Sequence, residues 1–493
     1  MENESSIVVI GSGPAGAMAA HELVVNKHLP VTMLEAGFED PRGVLVRAAG
    51  RNLLRRTPDL ERESHLVVSG HPDTAWFRTL GPGGLSNQWT GAVPRFAPDD
   101  FCDGARLDER YRWPLDYDDI APFYERAERL LRITGSGTDV PLLPAGYTDH
   151  RRILPHDWKG VASVAGRLGQ GLTVMPLADG PDFLFARRAT AFNSYSNILQ
   201  QLTTRPNFTL RTKCTALQLE WSSAKRQVQG VVFHNRDTDA QERIEASAVV
   251  VACGPLGSTK LLFDSTSPDF PHGLGNNEGV LGRYLHDHPK EWWSVRLSKP
   301  ITRLACAAYL TRRPFDQTPP LMATSWTIGL ASPREKVLSL FPGRTSALGV
   351  QVLGTMIPSE RFYVRPHATQ KDEFGLPQLE IHIEFDADVL KNVHAARSWF
   401  MDLLGEAGFE CRLNPVVPQC APGTAVHFGG TARMHKSREY GVVDEWSRIF
   451  DVPNVAVVDA STFTTGSEKN PTLTAMALAA RAAHRIADDL KQG

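Results

Sequence analysis

The 493-residue chain has few cysteines and no long hydrophobic run. Its six cysteines are scattered, with no CxxC pair and no His/Cys cluster at metal-ligand spacing, so neither a zinc site nor a disulfide framework is implied. The first residues carry no basic segment, and no apolar run approaches the ~20 residues that span a bilayer. We therefore expect a cytoplasmic protein that binds no metal and no membrane.

The sequence also lacks an excess of charge of either sign. Lys and Arg number 53 against 55 for Asp and Glu, so the broad positive field of a nucleic-acid binder is missing. With 42% hydrophobic and 22% charged residues the composition is that of a globular protein. At ~150 residues per domain, the length suggests roughly three domains, or two large interleaved ones, around a small-molecule ligand.

Alternating strand and helix patterns predict an α/β fold. A buried strand at 7–10, a helix through Leu23 and a second strand at 31–35 form a βαβ unit. Proline-rich sequence after Trp113 indicates a domain boundary, and strand patterns return between 207 and 253. The alternating run at 379–385 is typical of a half-exposed antiparallel sheet. A long helix ends the chain, from Pro471 to Leu490.

A GxGxxG motif lies directly between the first strand and helix. Gly11 allows the tight turn, Gly13 lets the backbone approach a pyrophosphate, and Gly16 lets helix and strand pack closely, with Pro14 and Ala15 between them. Glu35, at the end of the second strand, is placed to accept hydrogen bonds from ribose hydroxyls, which disfavours NADP. The motif predicts a dinucleotide site but does not separate NAD from FAD.

A second glycine-led turn lies too far along the chain to belong to that βαβ unit. It combines small polar residues with a large aromatic, and a site for a nucleotide alone would not require it. Its candidate binding residues are Gly83, Gly84, Ser86, Asn87, Gln88, Trp89 and Thr90.

Five blocks in order make the chain similar to the glucose–methanol–choline (GMC) type FAD oxidoreductases, and within them to the pyranose-oxidase-like branch. The blocks are the GxGxxG motif with Glu35, residues 83–96, residues 249–258, residues 282–289, and the tail from His427 through Asp459 to Met476. Together they cover the chain from end to end.

The resemblance implies an α/β fold with a discontinuous Rossmann-like FAD-binding domain and an α+β substrate domain built on an antiparallel sheet. We expect the FAD-binding domain at 1–112, 190–291 and 426–493. The substrate-binding domain is then formed by 113–189 and 292–425.

The resemblance also implies roles for individual residues. His427 is the catalytic base and Asn470 its partner; Asp459 lies near the flavin pyrophosphate and ribityl chain, and Cys214 contacts the adenine through backbone atoms. Asn470 before Pro471 and Thr472 has a second interpretation as the N-cap of the last helix. In either case that helix can direct its positive end at the flavin.

The chain departs from the branch at two positions, Gln88 and His435. Enzymes that bind FAD covalently have a histidine where this chain has Gln88, which cannot form that bond, so FAD is expected to be non-covalent. Thr90 matches a threonine near flavin N5 that affects oxygen reactivity. His435 replaces a common glycine, and the sequence does not indicate whether it reaches the site.

The predicted function is FAD-dependent oxidation of an alcohol to a carbonyl, with proton abstraction by histidine and hydride transfer to flavin N5. The expected substrate is a secondary hydroxyl of a sugar or glycoside, and the electron acceptor is O2 or an organic acceptor such as a quinone. Two alternatives stay open, a non-sugar alcohol in a biosynthetic pathway and a non-redox flavoprotein lyase. The sequence does not indicate an oligomeric state.

Overall fold

A computed structural model describes residues 6–38, 61–62, 66–74, 76–87, 89–178, 192–304, 307–312, 323–329, 343–414 and 420–492. The strands, in chain order, are β1 Ile7–Ile10, β2 Val31–Leu34, β3 Glu61–Arg62, β4 Leu66–Val68, β5 Phe77–Arg78, β6 Ile133–Gly135, β7 His150–Arg151, β8 Gly171–Val174, β9 Leu177–Ala178, β10 Phe208–Arg211, β11 Cys214–Ser222, β12 Gln227–Asn235, β13 Ala240–Glu245, β14 Ala248–Val251, β15 Lys290–Thr302, β16 Ala308–Arg312, β17 Thr324–Ile328, β18 Arg344–Gly354, β19 Tyr363–Lys371, β20 Pro377–His382, β21 Cys411–Leu413, β22 Arg448–Ile449 and β23 Val452–Val457.

The α-helices are α1 Pro14–His21, α2 Pro98–Cys102, α3 Tyr117–Leu131, α4 His156–Arg167, α5 Gln200–Leu202, α6 Pro255–Asp264, α7 Ala387–Glu406 and α8 Thr472–Gln492. Single π-helical turns cover Glu22–Asn26 and Tyr195–Leu199, and 3-10 turns cover Gly84–Asn87, Asp103–Arg106, Glu109–Tyr111 and Ala460–Thr462. Within the described ranges, no helix is both long enough and apolar enough to cross a membrane.

The main sheet is six-stranded in the order β10-β2-β1-β14-β23-β22. Every pair is parallel except the edge pair β22 and β23. All residues of β1 and β14 are buried, as uniformly apolar strands of a parallel sheet covered on both faces should be. The predicted βαβ unit and the discontinuous Rossmann-like sheet are confirmed.

The second six-stranded sheet has the order β21-β15-β18-β17-β16-β8, and all its pairs are antiparallel. Its core lies against α4 and α7, where Trp158, Trp326 and Phe400 are fully buried. The antiparallel sheet expected for the second part of the fold is therefore confirmed.

The domain limits stay a prediction, and two packing arrangements bear on them. Helix α3, assigned above to the substrate domain, packs against α8 of the FAD-binding part, with a 2.8 Å hydrogen bond between the Tyr124 and Thr474 hydroxyls. The strand expected at 379–385 is β20, which pairs with β19 and β4 and not with the large antiparallel sheet. Its Ile381 belongs to the same core as β1.

Candidate active site

The loop after β1 forms a tight turn with one open side. Gly11 has φ +99°, and a Cβ there would lie 2.4 Å from the Ala252 carbonyl oxygen. A Cβ on Gly16 would lie 2.0 Å from the Gly11 carbonyl oxygen, whereas a Cβ on Gly13 would meet nothing within 4 Å. The space beside Gly13, at the N-terminus of α1 where Pro14 is the first residue, suits a pyrophosphate.

The second glycine turn closes onto the first. A Cβ on Gly84 would lie 3.2 Å from the Gly13 Cα, and the Gly83 amide donates a 3.1 Å hydrogen bond to the Ser12 hydroxyl. Both Gly83 and Gly84 have positive φ, which makes the turn costly for residues with a side chain. The two loops, separated in sequence by some seventy residues, thus form one cradle.

The buried carboxylate of Glu35 holds this cradle together. One oxygen accepts hydrogen bonds from the Ser12 amide at 3.2 Å and hydroxyl at 2.5 Å. The other accepts from the amides of Gly37 at 2.9 Å and Gly81 at 3.1 Å. Glu35 therefore joins both loops, a structural task that the sequence did not indicate, and its ribose contact stays a prediction.

Ser194 is a member of the cradle that sequence reasoning missed. The single O–H of Ser194 lies between two acceptors, the carbonyl oxygens of Ser12 at 3.1 Å and Gly83 at 3.2 Å, and its amide donates to the Ser86 hydroxyl at 3.0 Å. Beside it, the amide side chain of Asn193 donates to Asn87. No pattern in the sequence marks these residues, because they act on backbone groups of distant loops.

Asp459 lies at the next turn of the same cradle. One of its oxygens accepts from the Gly254 amide at 3.1 Å and the Ser258 hydroxyl at 2.5 Å, and the other accepts from the Ser461 amide at 2.9 Å. Burial raises the pKa of Asp459, and the hydrogen bonds from Ser258 and Ser461 oppose that shift. A Cβ on Gly254 would meet nothing within 4 Å, so this turn, like that at Gly13, has open space beside its backbone.

Two further predicted flavin contacts, Cys214 and Trp89, bond to residues of this cradle or next to it. Cys214 is buried at the start of β11, and its amide donates a 2.9 Å hydrogen bond to the Glu35 carbonyl. The Trp89 indole donates to the Phe192 carbonyl at 3.0 Å, and Thr90 is exposed. Gln88 lies outside the described residues.

His427 and Asn470 lie together although 43 residues separate them. Asn470 Nδ2 is 3.1 Å from His427 Nε2. The buried Oδ1 of Asn470, which would accept a backbone N–H if the side chain were an N-cap, has no partner among the described residues. Asn470 therefore does not cap α8, which begins at Thr472 after Pro471.

The surroundings of His427 keep its imidazole neutral. The side chain retains some accessible surface, yet burial of the ring lowers its pKa well below the usual value, and the nearby His288 and Lys290 lower it further. A neutral imidazole has a lone pair with which to accept a proton.

Asp287 fixes the main chain that carries His427. Its fully buried carboxylate accepts a 2.9 Å hydrogen bond from the His427 amide and a 2.7 Å bond from the Gly423 amide. Burial raises the pKa of Asp287 to about 6, against the hydrogen bonds it accepts. The sequence showed only an acidic residue between two histidines, with nothing to indicate its partners.

Of the two histidines that flank Asp287, His288 contacts His427, whereas His286 bonds main chain. Nδ1 of His288 lies 2.9 Å from Nδ1 of His427. His286 has its Nδ1 3.0 Å from the Tyr284 carbonyl oxygen, and burial lowers its pKa to about 3. No three His, Cys, Asp or Glu side chains form a metal-binding group within the described ranges.

His435 does not face His427. Its Nε2 lies 3.0 Å from the Glu109 carbonyl oxygen, and its Nδ1 accepts a 2.9 Å hydrogen bond from the Ser437 amide. Both ring nitrogens are therefore engaged by local main chain.

A buried ionic cluster immediately precedes Asn470. The Lys469 ammonium, with no exposed side-chain surface, lies 2.6 Å from Glu468 and 3.0 Å from Asp100. The Glu468 carbonyl accepts a 2.6 Å hydrogen bond from Ser325 in β17. The cluster thus connects the segment of Asn470 to the antiparallel sheet, a connection that the sequence did not predict.

A dinucleotide cradle on a parallel sheet, with a neutral histidine and an asparagine connected to an antiparallel sheet, is the arrangement of a dinucleotide-dependent oxidoreductase. Two family models described as GMC oxidoreductase match residues 178–290 and 363–479. The chain belongs to the GMC oxidoreductase family, as its sequence blocks indicated. It is an FAD-dependent enzyme that acts on CH–OH groups, and the open space beside Gly13 fits that cofactor.

Individual relatives match over nearly the whole chain. A 6'''-hydroxyparomomycin C oxidase of Streptomyces lividus is 28% identical over 98% of this chain and 91% of its own. A fructose dehydrogenase large subunit of Gluconobacter japonicus is 24% identical over 100% of both chains, and a C-glycoside 3-oxidase of Microbacterium trichothecenolyticum is 25% identical over 98% and 96%. The fold is also that of the crystal structure of pyridoxine 4-oxidase from Mesorbium loti, with a TM-score of 0.67 and 20% identity over 98% of this chain and 99% of that one.

Proposed function

We propose that this enzyme, as a member of the pyranose-oxidase-like branch, oxidises a secondary hydroxyl of a sugar or glycoside to a carbonyl. The observation that carries the proposal is the 3.1 Å approach of Asn470 Nδ2 to His427 Nε2. Relatives named as a fructose dehydrogenase and a C-glycoside 3-oxidase support a sugar-like substrate. FAD, when bound, supplies the acceptor for the hydride that leaves the carbon.

His427 is the base in this reaction. A substrate hydroxyl beside the pair donates to His427 Nε2, which takes its proton as the C–H bond breaks. On binding, the substrate hydroxyl replaces Asn470 Nδ2 as the donor to the single lone pair of Nε2. Its oxygen then accepts from Asn470 Nδ2, which fixes its orientation and stabilises the negative charge that develops on it. The lowered pKa of His427 keeps the ring unprotonated and ready at neutral pH.

Anaerobic flavin reduction tests this assignment. His427→Ala should keep its FAD and reduce it orders of magnitude more slowly with a sugar that bleaches the unaltered enzyme, and Asn470→Ala should be slower by about a hundredfold or more. His435→Ala is the matched control, because its ring nitrogens bond main chain at Glu109 and Ser437 and its ring packs against Tyr440. An unchanged rate of flavin reduction in His427→Ala would refute the assignment of His427 as the base.

Two alternatives have distinct outcomes. If only non-sugar alcohols bleach the flavin, the enzyme has the same chemistry on another substrate class. If no sugar, glycoside or alcohol bleaches it, both redox proposals fail and the flavoprotein lyase alternative is favoured.

FAD binding is proposed to be non-covalent, because Gln88 offers no imidazole to bond the flavin. Acid precipitation should then release the flavin into the supernatant, and flavin in the protein pellet would refute the proposal. The electron acceptor is proposed to be O2 or an organic acceptor such as a quinone. Reoxidation of the reduced enzyme by each, followed in a stopped-flow spectrometer, separates them.

A further inference from the structure

His288 and His427 are in contact through the same atom of each ring. The two Nδ1 atoms lie 2.9 Å apart, and the ring planes meet at 78°. Two nitrogens at that distance form a hydrogen bond only if one carries a proton and the other a lone pair. The protonation of one ring therefore determines that of the other.

The contact at the Asn470 end indicates which ring donates. The Asn470 amide nitrogen, a donor only, faces Nε2 of His427 at 3.1 Å. Nε2 then accepts, so the single proton of the neutral ring lies on Nδ1. His427 donates to His288.

The contact at the other end of the pair leads to the same assignment independently. The main chain at 466–467 passes the far side of the His288 ring, where a Cβ on Gly466 would lie 3.8 Å from Nε2. Burial lowers the pKa of His288 to about 4, while a backbone hydrogen bond to Ser467 acts in the opposite direction, as a carbonyl acceptor does. Because Nδ1 of His288 faces His427, Nε2 is the nitrogen left to donate to that carbonyl, and Nδ1 then accepts.

The opposite arrangement fails at both ends. With the proton of His427 on Nε2, that N–H would face the amide nitrogen of Asn470, donor against donor. His288 would have to donate from Nδ1, which would leave its bare Nε2 against the Ser467 carbonyl. Only one of the two tautomers of His427 satisfies all the contacts.

Charged neighbours act on the pair without reversing the assignment. Lys290 lies near His427 and disfavours a second proton there. Asp287 binds the His427 main chain and not its ring, and the nearby Glu468 raises the pKa of His288 less than burial lowers it. Both rings are neutral at pH 7, so each carries one proton.

We propose that His288 is a positioning residue that holds His427 in the tautomer protonated on Nδ1, and so keeps Nε2 free for the substrate proton. The inference rests on the proposed role of His427 as base. As His427 gains the substrate proton on Nε2, its Nδ1–H bond to His288 also stabilises the imidazolium that forms, and no proton needs to pass to His288. His288 itself touches neither the substrate oxygen nor the hydride.

Paired variants test the role. His288→Leu removes the acceptor, whereas His288→Asn places an amide oxygen where Nδ1 was. We expect His288→Leu to slow flavin reduction at saturating substrate by about 10- to 100-fold with little change in substrate affinity, and His288→Asn to recover most of the rate. His435→Asn is the control. Equal rates in His288→Leu and the unaltered enzyme would overturn the proposal, and so would failure of Asn to rescue.

A second measurement does not depend on activity. In protein labelled with 15N at histidine, the His427 signal, assigned by its loss in His427→Ala, should show a protonated Nδ1 and an unprotonated Nε2 at pH 7. The reverse tautomer would overturn the proposal even if His288→Leu does not fold. If His427→Ala reduces its flavin normally, the proposed function fails; if His427→Ala is inactive but His288→Leu is not, only this inference fails.

Discussion

Asp287 is joined to His427 through the main chain, since its carboxylate accepts the His427 amide N–H at 2.9 Å and leaves the imidazole untouched. The other carboxylate oxygen accepts the Gly423 amide at 2.7 Å, so one buried side chain holds two points of the loop that carries the proposed base. Asp287 therefore controls where His427 lies, whereas the groups that contact the ring control its protonation.

Asp287→Asn should therefore damage the position of His427. Asparagine offers one acceptor oxygen, and its NH2 group would face one of the two amides. We expect the free energy of unfolding to fall by roughly 1–3 kcal/mol, and flavin reduction to slow while FAD content is unchanged. Thermal unfolding and stopped-flow reduction measure the two effects. Asp237→Asn, in an exposed pair with Lys213, is the control; an equal effect there would contradict the prediction.

Two glycines of the first loop should respond differently to alanine. A Cβ on Gly16 would lie 2.0 Å from the Gly11 carbonyl oxygen, whereas one on Gly13 meets open space. Gly16→Ala should lower the melting temperature of the apoprotein. Gly13→Ala should leave that temperature unchanged and weaken FAD binding, because the methyl group enters the space proposed for the pyrophosphate. Titration with FAD and apoprotein melting check both expectations. Normal FAD affinity in Gly13→Ala would contradict the proposed place of the pyrophosphate beside Gly13.

Stability should fall as the pH drops below about 6.5. Burial lowers the folded-state pKa of His286 to about 3 and of His288 to about 4, and also lowers that of His427. Below pH 6.5 the unfolded chain binds protons that the folded one does not, so the stability present above 6.5 is lost toward pH 4, on the order of 3 kcal/mol for His288. Burial raises the pKa of Asp287 and Asp264 to about 6 and also raises that of Asp103 and Asp459, so these carboxyls oppose the loss as they take up protons. His21 and His435, whose pKa burial also lowers, add to the loss.

Thermal unfolding between pH 7 and pH 4.5 measures this slope. His288→Asn removes one of the three histidines, so its melting temperature should depend less steeply on pH. An unchanged slope in that variant would show that His288 is not buried as a neutral ring.

Lys469→Met should destabilise the fold strongly. It would remove the cation that lies 2.6 Å from the buried carboxylate of Glu468 and 3.0 Å from that of Asp100, and breaking a buried ion pair from one side costs roughly 3–5 kcal/mol. Lys213→Met, at an exposed pair with Asp237, should cost about 1 kcal/mol or less. Chemical denaturation of both proteins gives the comparison, and similar losses would contradict the prediction.

Structural features that depend on a local sequence pattern could be predicted from the sequence. The strand at 7–10, the turn at Gly11 and the helix after it follow from spacing alone, and the resemblance named His427 with Asn470. The contact of His288 with His427 was not predictable, because it joins positions 139 residues apart and leaves no periodic signal. The strand at 379–385 was recognised but not its partners, since alternation identifies a half-buried strand without saying which sheet it joins.

The main sheet has a consequence for the order in which the chain can fold. Strand β1 lies between β2 and β14. Strand β14 pairs on its other side with β23, where Val249 lies opposite Val455, about two hundred residues later in the sequence. Such distant pairings make folding slow, and a nascent chain exposes the apolar edge of β1 until β14 has emerged from the ribosome, and that of β14 until β23 has emerged. Because Asp459 lies two residues after β23, the cradle for FAD is complete only once residue 459 has been made, and a chain cut before β23 should aggregate before it can take up its cofactor.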